Sequence, residues 1–112
     1  MTFEEAVAHA LTLDGAERAT SYGQPSVKAN GNAFLNVGHE PESSFVLKLD
    51  PGVIDYLMGT HPDTFWKTAH YEGYPAILVR YETPDDGLVR EMIESACARA
   101  RARKPPRPRK VR

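Results

Sequence analysis

Residues 26–37 read SVKANGNAFLNV, two short runs rich in strand-forming residues on either side of Asn30-Gly31. An Asn-Gly pair tolerates the positive φ angles that a two-residue β-hairpin turn requires. The sequence therefore predicts strands over residues 26–29 and 32–37, joined by a tight turn, and a mainly antiparallel sheet that extends outward from them.

Four further segments rich in β-forming residues extend this hairpin into a sheet. They cover residues 19–22, 44–49, 64–70 and 76–81. We expect a turn at Gly23-Gln24-Pro25 after the first of these strands. The loop 71–75 joins the last two.

Three segments place apolar residues at helical spacing. They cover residues 3–13, residues 51–59 and a final segment from Pro84 or Asp85 to about Lys104. Thr2 and Glu5 fit a capping box before the first helix, and Asp50 is the expected N-cap of the second. Strands bracketed by helices predict an α+β protein, with helices on one face of a mainly antiparallel sheet.

Composition restricts the class of protein without naming a function. The 112 residues are 41% hydrophobic and 26% charged, which is typical of one soluble globular domain. No apolar run is long enough to span a membrane, and the acidic start lacks the features of a signal peptide, so we expect a cytoplasmic protein without membrane contact. Cys97 is the single cysteine, which excludes an internal disulfide, and its place on the apolar face of the last helix predicts a buried, inert thiol.

The net charge of −1 hides a strong asymmetry along the chain. Residues 1–98 hold six Lys or Arg and fifteen Asp or Glu, a net charge of −9. Residues 99–112 hold eight cations and no acid. A basic terminal arm is typical of nucleic-acid contact, although the same arm can be merely solvated or can fold back on the acidic body.

Three stretches carry a resemblance to a known family. They read SYGQPSVK at 21–28 with the following Asn30-Gly31-Asn32, VLKLD at 46–50, and HYEGYPAILVRY at 70–81. In order and spacing they resemble the MmcQ/YjbR family over residues 1–103, which leaves residues 104–112 as a basic, Pro- and Arg-rich tail. The resemblance implies a CyaY-like (frataxin-like) sandwich, with the N- and C-terminal helices packed on one face of the sheet, and a DNA-binding function.

We therefore predict a small DNA-binding protein, with RNA as a further possible partner and with weak binding that depends little on sequence. The predicted contact residues are Lys28, Lys48, Lys67, Arg80, Arg99, Arg101, Arg103, Lys104, Arg107, Arg109, Lys110 and Arg112. Lys28 and Lys48 would project from the open face of the sheet. The alternatives are that the strand lysines are only solvated and that Arg80 forms an ion pair with Glu82 or Glu72.

Aromatic residues beside these cations offer a second mode of contact, because such rings stack on unpaired bases. They are Phe65, Trp66, Tyr71, Tyr74 and Tyr81. The competing interpretation is that the rings form the core and brace the 70–75 loop. Alternation along a strand places Phe65 and Trp66 on opposite faces, so at most one of the two belongs to the core.

Other classes of function have weaker signals. A protein-interaction or adaptor domain, meeting its partner through the open sheet face, is the main alternative. A small-ligand site near His70, or weak metal binding suggested by the frataxin-like resemblance, comes after it. The sequence has no Gly-x-Ser-x-Gly elbow, Gly-rich phosphate loop or His-Glu-x-x-His helix, so we expect a protein that is not an enzyme and needs no cofactor. We also expect it to be a monomer.

Overall fold

The structure is a computed structural model that describes residues 1–38 and 40–106. The helices are α1 (Phe3–Ala10), α2 (Pro51–Thr60) and α3 (Asp86–Ala102). The strands are β1 (Ala16–Ser21), β2 (Gln24–Ala29), β3 (Asn32–Val37), β4 (Ser44–Lys48), β5 (Phe65–Trp66) and β6 (Ala76–Arg80). A single 3₁₀ turn, Ala69–Tyr71, lies between β5 and β6.

One antiparallel sheet contains all six strands in the order β1-β2-β3-β4-β6-β5. The hairpin predicted at Asn30-Gly31 is confirmed, because Ala29 pairs with Asn32 and the two turn residues have φ angles of 52° and 78°. The register of β2 against β3 shifts after Val27, which gives the hairpin a bulge.

The three helices pack on one face of the sheet, as the sequence predicted. α1 and α3 lie against β2 and α3 also against β3, while α2 lies against β5 and β6. One buried cluster joins the helices to the strand residues on this face, including Phe34, Phe45 and Phe65. The described chain is thus an α+β protein whose opposite sheet face carries no helix.

Helix α1 and strand β1 have bounds that differ by three residues from the sequence prediction. Helix α1 begins with the predicted capping box but ends at Ala10 rather than residue 13. After it, Thr12 N–H bonds the His9 carbonyl at 3.1 Å and the Thr12 hydroxyl bonds the same oxygen at 2.7 Å, which replaces helix continuation with tight turns. Strand β1 begins at Ala16 rather than residue 19. The sequence does not indicate this earlier start, because β1 is a largely exposed edge strand without a strong apolar pattern.

Two local predictions were wrong. The turn after β1 is Tyr22-Gly23 rather than Gly23-Gln24-Pro25, and β2 already begins at Gln24. The strand predicted over 64–70 is only Phe65–Trp66, because the chain then leaves the sheet edge to cross the open face. Asp50 is the N-cap residue of α2, as predicted, although its side chain makes no capping hydrogen bond.

Candidate nucleic-acid interface

Alternation along the central strands places a second set of side chains on the sheet face without helices. Val46 lies opposite Asn36 on one side and Leu78 on the other, and Lys48 lies opposite Ala76. Because residues two apart on a strand share a face, these five positions form one continuous patch. The patch has an apolar centre, with Lys48 at the end of the sheet where the β2–β3 turn also lies.

Four cations gather at this end of the sheet. Burial lowers the pKa of the Lys48 ammonium below its ordinary value, and the nearby charges of Arg103, Arg99 and Lys28, in that order, lower it further. Within residues 1–38 and 40–106, no carboxylate forms an ion pair with any of the four. The result is a basic cluster (Lys28, Lys48, Arg99 and Arg103) whose charges are not neutralised by a described neighbour.

Two asparagines from the β2–β3 hairpin hold the end of α3 beside this cluster. Asn32 Nδ2 donates to the carbonyl oxygens of Ala100 at 3.0 Å and Lys104 at 3.1 Å. Asn30 Nδ2 donates to the Arg103 carbonyl at 2.7 Å. These amides donate to carbonyls at the helix end, where helical N–H donors run out, and they fix the main chain of residues 100–104 against the hairpin turn.

A cleft of about 820 Å³ lies on the same open face. The β1–β2 turn and the loop that follows Ala69–Tyr71 line it, and Lys48 and Arg103 both contribute to its lining. None of its described lining residues is Asp or Glu. Tyr71 packs against Val46 and Leu78, and so anchors the loop to the sheet.

Gly38 permits the close approach between β3 and the Tyr71 loop. A Cβ atom on Gly38 would lie 2.6 Å from Val46 Cγ2 and 3.1 Å from the Tyr71 hydroxyl oxygen. Both distances are shorter than normal packing contacts, so only glycine fits here. This position therefore shapes the wall of the cleft.

The other predicted cations lie apart from the basic cluster or have other partners. Lys67 Nζ donates to the Tyr74 carbonyl at 3.0 Å and thereby braces the cleft loop. The Arg80 guanidinium lies 4.1 Å from the centre of the Trp66 ring, so its partner is this ring rather than the expected Glu82 or Glu72. Arg101 pairs with Asp14 at 3.5 Å.

The remaining predicted contact residues lie within residues 104–112. The Lys104 side chain is exposed, while its carbonyl accepts from Asn32. Pro106 lies beside Gly31 in the hairpin turn. Four predicted contact residues lie outside the described part of the chain, namely Arg107, Arg109, Lys110 and Arg112.

The aromatic residues divide between core and surface. Phe65 is buried under the helices and Trp66 lies on the open face, as alternation predicted. Tyr81 stacks on Phe45 at a ring distance of 6.2 Å and is therefore structural. Tyr74 lines the cleft and is exposed.

Sequence reasoning missed three of the side chains that define this region. Tyr22 lines the cleft from the β1–β2 turn and is fully exposed, while Asn30 and Asn32 cap α3. The Tyr22-Gly23 pair had a usable signal, since its spacing from Asn30-Gly31 matches two successive hairpin turns. The capping contacts had none, because they join residues 68 to 73 positions apart.

Other sites considered from the sequence have little support in the described residues. No group of three His, Cys, Asp or Glu side chains there could hold a metal ion. Cys97 is buried as predicted, and burial raises the pKa of its thiol. No helix in residues 1–38 and 40–106 has the length and apolar character needed to cross a bilayer.

Comparison with known proteins gives distant relatives without a described activity. No protein-family model matches the chain, and no solved structure matches it. One protein of Mycobacterium bovis and two from strains of Mycobacterium tuberculosis, all described as uncharacterized, are each 32% identical over 76 residues. The match covers 65% of this chain and 59% of each relative, so the chain spans about three fifths of the length of the curated relatives that it matches.

Proposed function

We propose that this protein binds nucleic acid through the open face of its sheet and the basic end of α3. We also propose that it is a member of the MmcQ/YjbR family with a CyaY-like fold, as the sequence resemblance implies. The antiparallel sheet with its helices on one face supports the fold proposal. DNA is the partner expected from the resemblance, and RNA remains an outcome for the test.

The basic cluster is the observation that carries this proposal. Residues 1–98 have a net charge of −9, so long-range electrostatics alone would repel a polyanion. The four cations of the cluster nevertheless lie together without an ion-pair partner among the described residues. Adjacent cations without an ion-pair partner are the groups that displace counterions from a phosphate backbone.

The strength of binding should depend steeply on salt. If all four cations of the cluster contact phosphates of a duplex, the slope of log K against log salt is about −3.6. Raising salt fourfold would then weaken binding by about 150-fold. Because phosphate contacts carry no base information, affinity should change little between sequences.

The test is fluorescence anisotropy of labelled duplex and single-stranded DNA and of single-stranded RNA, across a salt series. The variant Lys28→Ser/Arg103→Ser should reduce the magnitude of the duplex slope by about 1.8. The control Arg18→Ser/Arg90→Ser removes the same charge from exposed positions outside the cluster and should leave the slope unchanged. A version ending at residue 106 separates the folded surface from residues 107–112.

Three results would count against the proposal. Binding to none of the nucleic acids at low salt would overturn it. Equal losses of nucleic-acid affinity in the two double variants would show that the net charge of the protein, rather than the basic cluster, sets the affinity. Loss of all binding in the version ending at residue 106, with no effect of the double variant Lys28→Ser/Arg103→Ser, would move the site to the last six residues.

A further inference from the structure

We infer that the cleft on the open face holds an unpaired strand, with a phosphate at Lys48 and Arg103, one base stacked on Tyr74 beside them and another on Tyr22 at the opposite end of the sheet. This inference rests on the proposed function and adds a preference for single strands over duplex. The shared chemistry is that of an aromatic base carrying a phosphate, whether within a strand or as a free nucleotide.

The size and charge of the cleft fit such a group. Its volume of about 820 Å³ lies within the range of roughly 300–1,000 Å³ that small-molecule sites occupy. Lys48 and Arg103 line it, and the described lining includes no carboxylate that would repel a phosphate. In a chain whose residues 1–98 carry fifteen acids, an acid-free cleft with two cations selects for anions.

Exposed rings indicate the second half of the ligand. Tyr22 has an exposed fraction of 101% and Tyr74 one of 63%, and both line the cleft. The apolar side chains Val46 and Ala76 contribute to the same lining. Base–aromatic stacking uses exposed rings of this kind and tolerates every base, because each base has a π face.

A tyrosine in an unfavourable backbone conformation strengthens this assignment. Tyr22 has a φ of 53°, in the left-handed region that non-glycine residues other than Asn and Asp seldom adopt. Its ring is fully exposed, so no packing contact compensates for that conformation. The hairpin turn requires a positive φ at this position but favours Asn, Asp or Gly there, so the turn alone does not account for a tyrosine.

Asn36 supplies a polar group at the depth where a base edge would lie. Its Oδ1 accepts from Ser26 Oγ at 2.7 Å, and its Nδ2 has no hydrogen-bond partner among the described residues. Asn36 lies opposite Val46, two residues along β4 from Lys48, or roughly 7 Å. A duplex cannot use this arrangement, because its bases are paired and stacked on both faces.

The experiment measures binding of three probes under matched salt: an oligo-dT single strand with a central 2-aminopurine, a duplex of mixed sequence, and free thymidine monophosphate. The variants are Tyr22→Ser, Tyr74→Ser and the control Tyr56→Ser. Tyr56 has an exposed fraction of 62%, close to that of Tyr74, but lies on α2 away from the cleft. The exposure of all three rings makes each variant compatible with folding.

We expect the single strand to bind more tightly than the duplex, with quenching of 2-aminopurine fluorescence. Tyr22→Ser and Tyr74→Ser should each weaken single-strand binding by about 5- to 150-fold, the equivalent of about 1–3 kcal/mol per stacked base. The affinity of these two variants for the duplex should equal that of the parent protein. Tyr56→Ser should leave the affinity for both the single strand and the duplex unchanged. Tighter binding of thymidine monophosphate than of the strand, with the same loss in Tyr74→Ser, would identify a free nucleotide as the occupant.

Failure of this inference differs from failure of the proposed function. If duplex and single strand bind equally, and Tyr22→Ser and Tyr74→Ser behave like Tyr56→Ser, the cleft is not a base site. The basic cluster would still stand as a phosphate-contacting surface. Absence of binding by any nucleic acid, with no response to thymidine monophosphate, would overturn both proposals.

Discussion

Replacing Tyr22 with asparagine should stabilise the protein and weaken its binding at the same time. The sheet contains two hairpin turns with nearly the same backbone. Tyr22-Gly23 has φ angles of 53° and 78°, and Asn30-Gly31 has φ angles of 52° and 78°. Positive φ at both central residues favours Asn-Gly, so only the second turn has the residue that its conformation prefers.

The size of the stability change follows from the backbone conformation of Tyr22 and from the exposure of its ring. The left-handed conformation costs an ordinary residue roughly 1–2 kcal/mol, and asparagine tolerates it better. Because the Tyr22 ring is fully exposed, its removal sacrifices no buried area. We therefore expect Tyr22→Asn to raise the free energy of unfolding by about 1 kcal/mol, and the melting temperature by about 4–8 °C.

Urea denaturation followed by circular dichroism measures this change, and anisotropy with single-stranded DNA measures the second effect. Tyr56→Asn is the control, since it removes an exposed tyrosine from ordinary helical backbone and should give no gain in stability. A loss of 1 kcal/mol or more in Tyr22→Asn would refute the reasoning, because the ring would then contribute a contact. Unchanged single-strand affinity would contradict its role in the cleft.

Three further predictions concern the residues around the cleft. Asn32→Ala removes the amide that caps α3 and should lower the free energy of unfolding by about 1–3 kcal/mol in urea denaturation, whereas no loss would contradict the cap. Gly38→Ala should cost about 1–3 kcal/mol, since its Cβ would lie 2.6 Å from Val46 Cγ2; a thermal melt equal to that of the parent would refute this. The pKa of Lys48 in the folded protein lies below its usual value of 10.5. At pH values between the two, the unfolded chain binds more protons than the folded one, so the free energy of unfolding should rise with pH. The Lys48→Met variant should lack this rise. Parallel pH dependence of the two proteins in urea denaturation would contradict that shift.

Local physics explains which parts of the fold were predictable from the sequence. The turn at Asn30-Gly31 and the capping box of Thr2 with Glu5 depend on neighbouring residues, and both are present. The apolar face of α3 was predicted correctly down to the burial of Cys97, because a regular helical pattern fixes which side chains face the sheet. Patterns of this kind need no information about distant parts of the chain.

The elements that define the cleft depend on distant contacts and were harder to predict. The β-forming composition of residues 64–70 suggested a long strand, but only Phe65–Trp66 pairs with β6. The remainder crosses the open face, where Tyr71 packs on Val46 and Leu78 from other strands. Local propensity cannot distinguish a strand from an extended segment that finds its partners across a sheet.

The way α3 ends explains how a protein whose residues 1–98 are acidic can keep an available basic surface. The last carbonyls of a helix need hydrogen-bond donors and carry partial negative charge, and Lys or Arg side chains often satisfy them. Here the neutral amides of Asn30 and Asn32 donate instead, so the guanidinium groups of Arg99 and Arg103 are not needed for that role. The Arg103 carbonyl is held by Asn30 while its side chain lines the cleft, which means that the main chain is already ordered before any ligand binds. Binding a phosphate there costs the entropy of ordering one side chain rather than that of ordering a length of main chain. This difference favours the end of α3, with Arg99 and Arg103, as the point of contact.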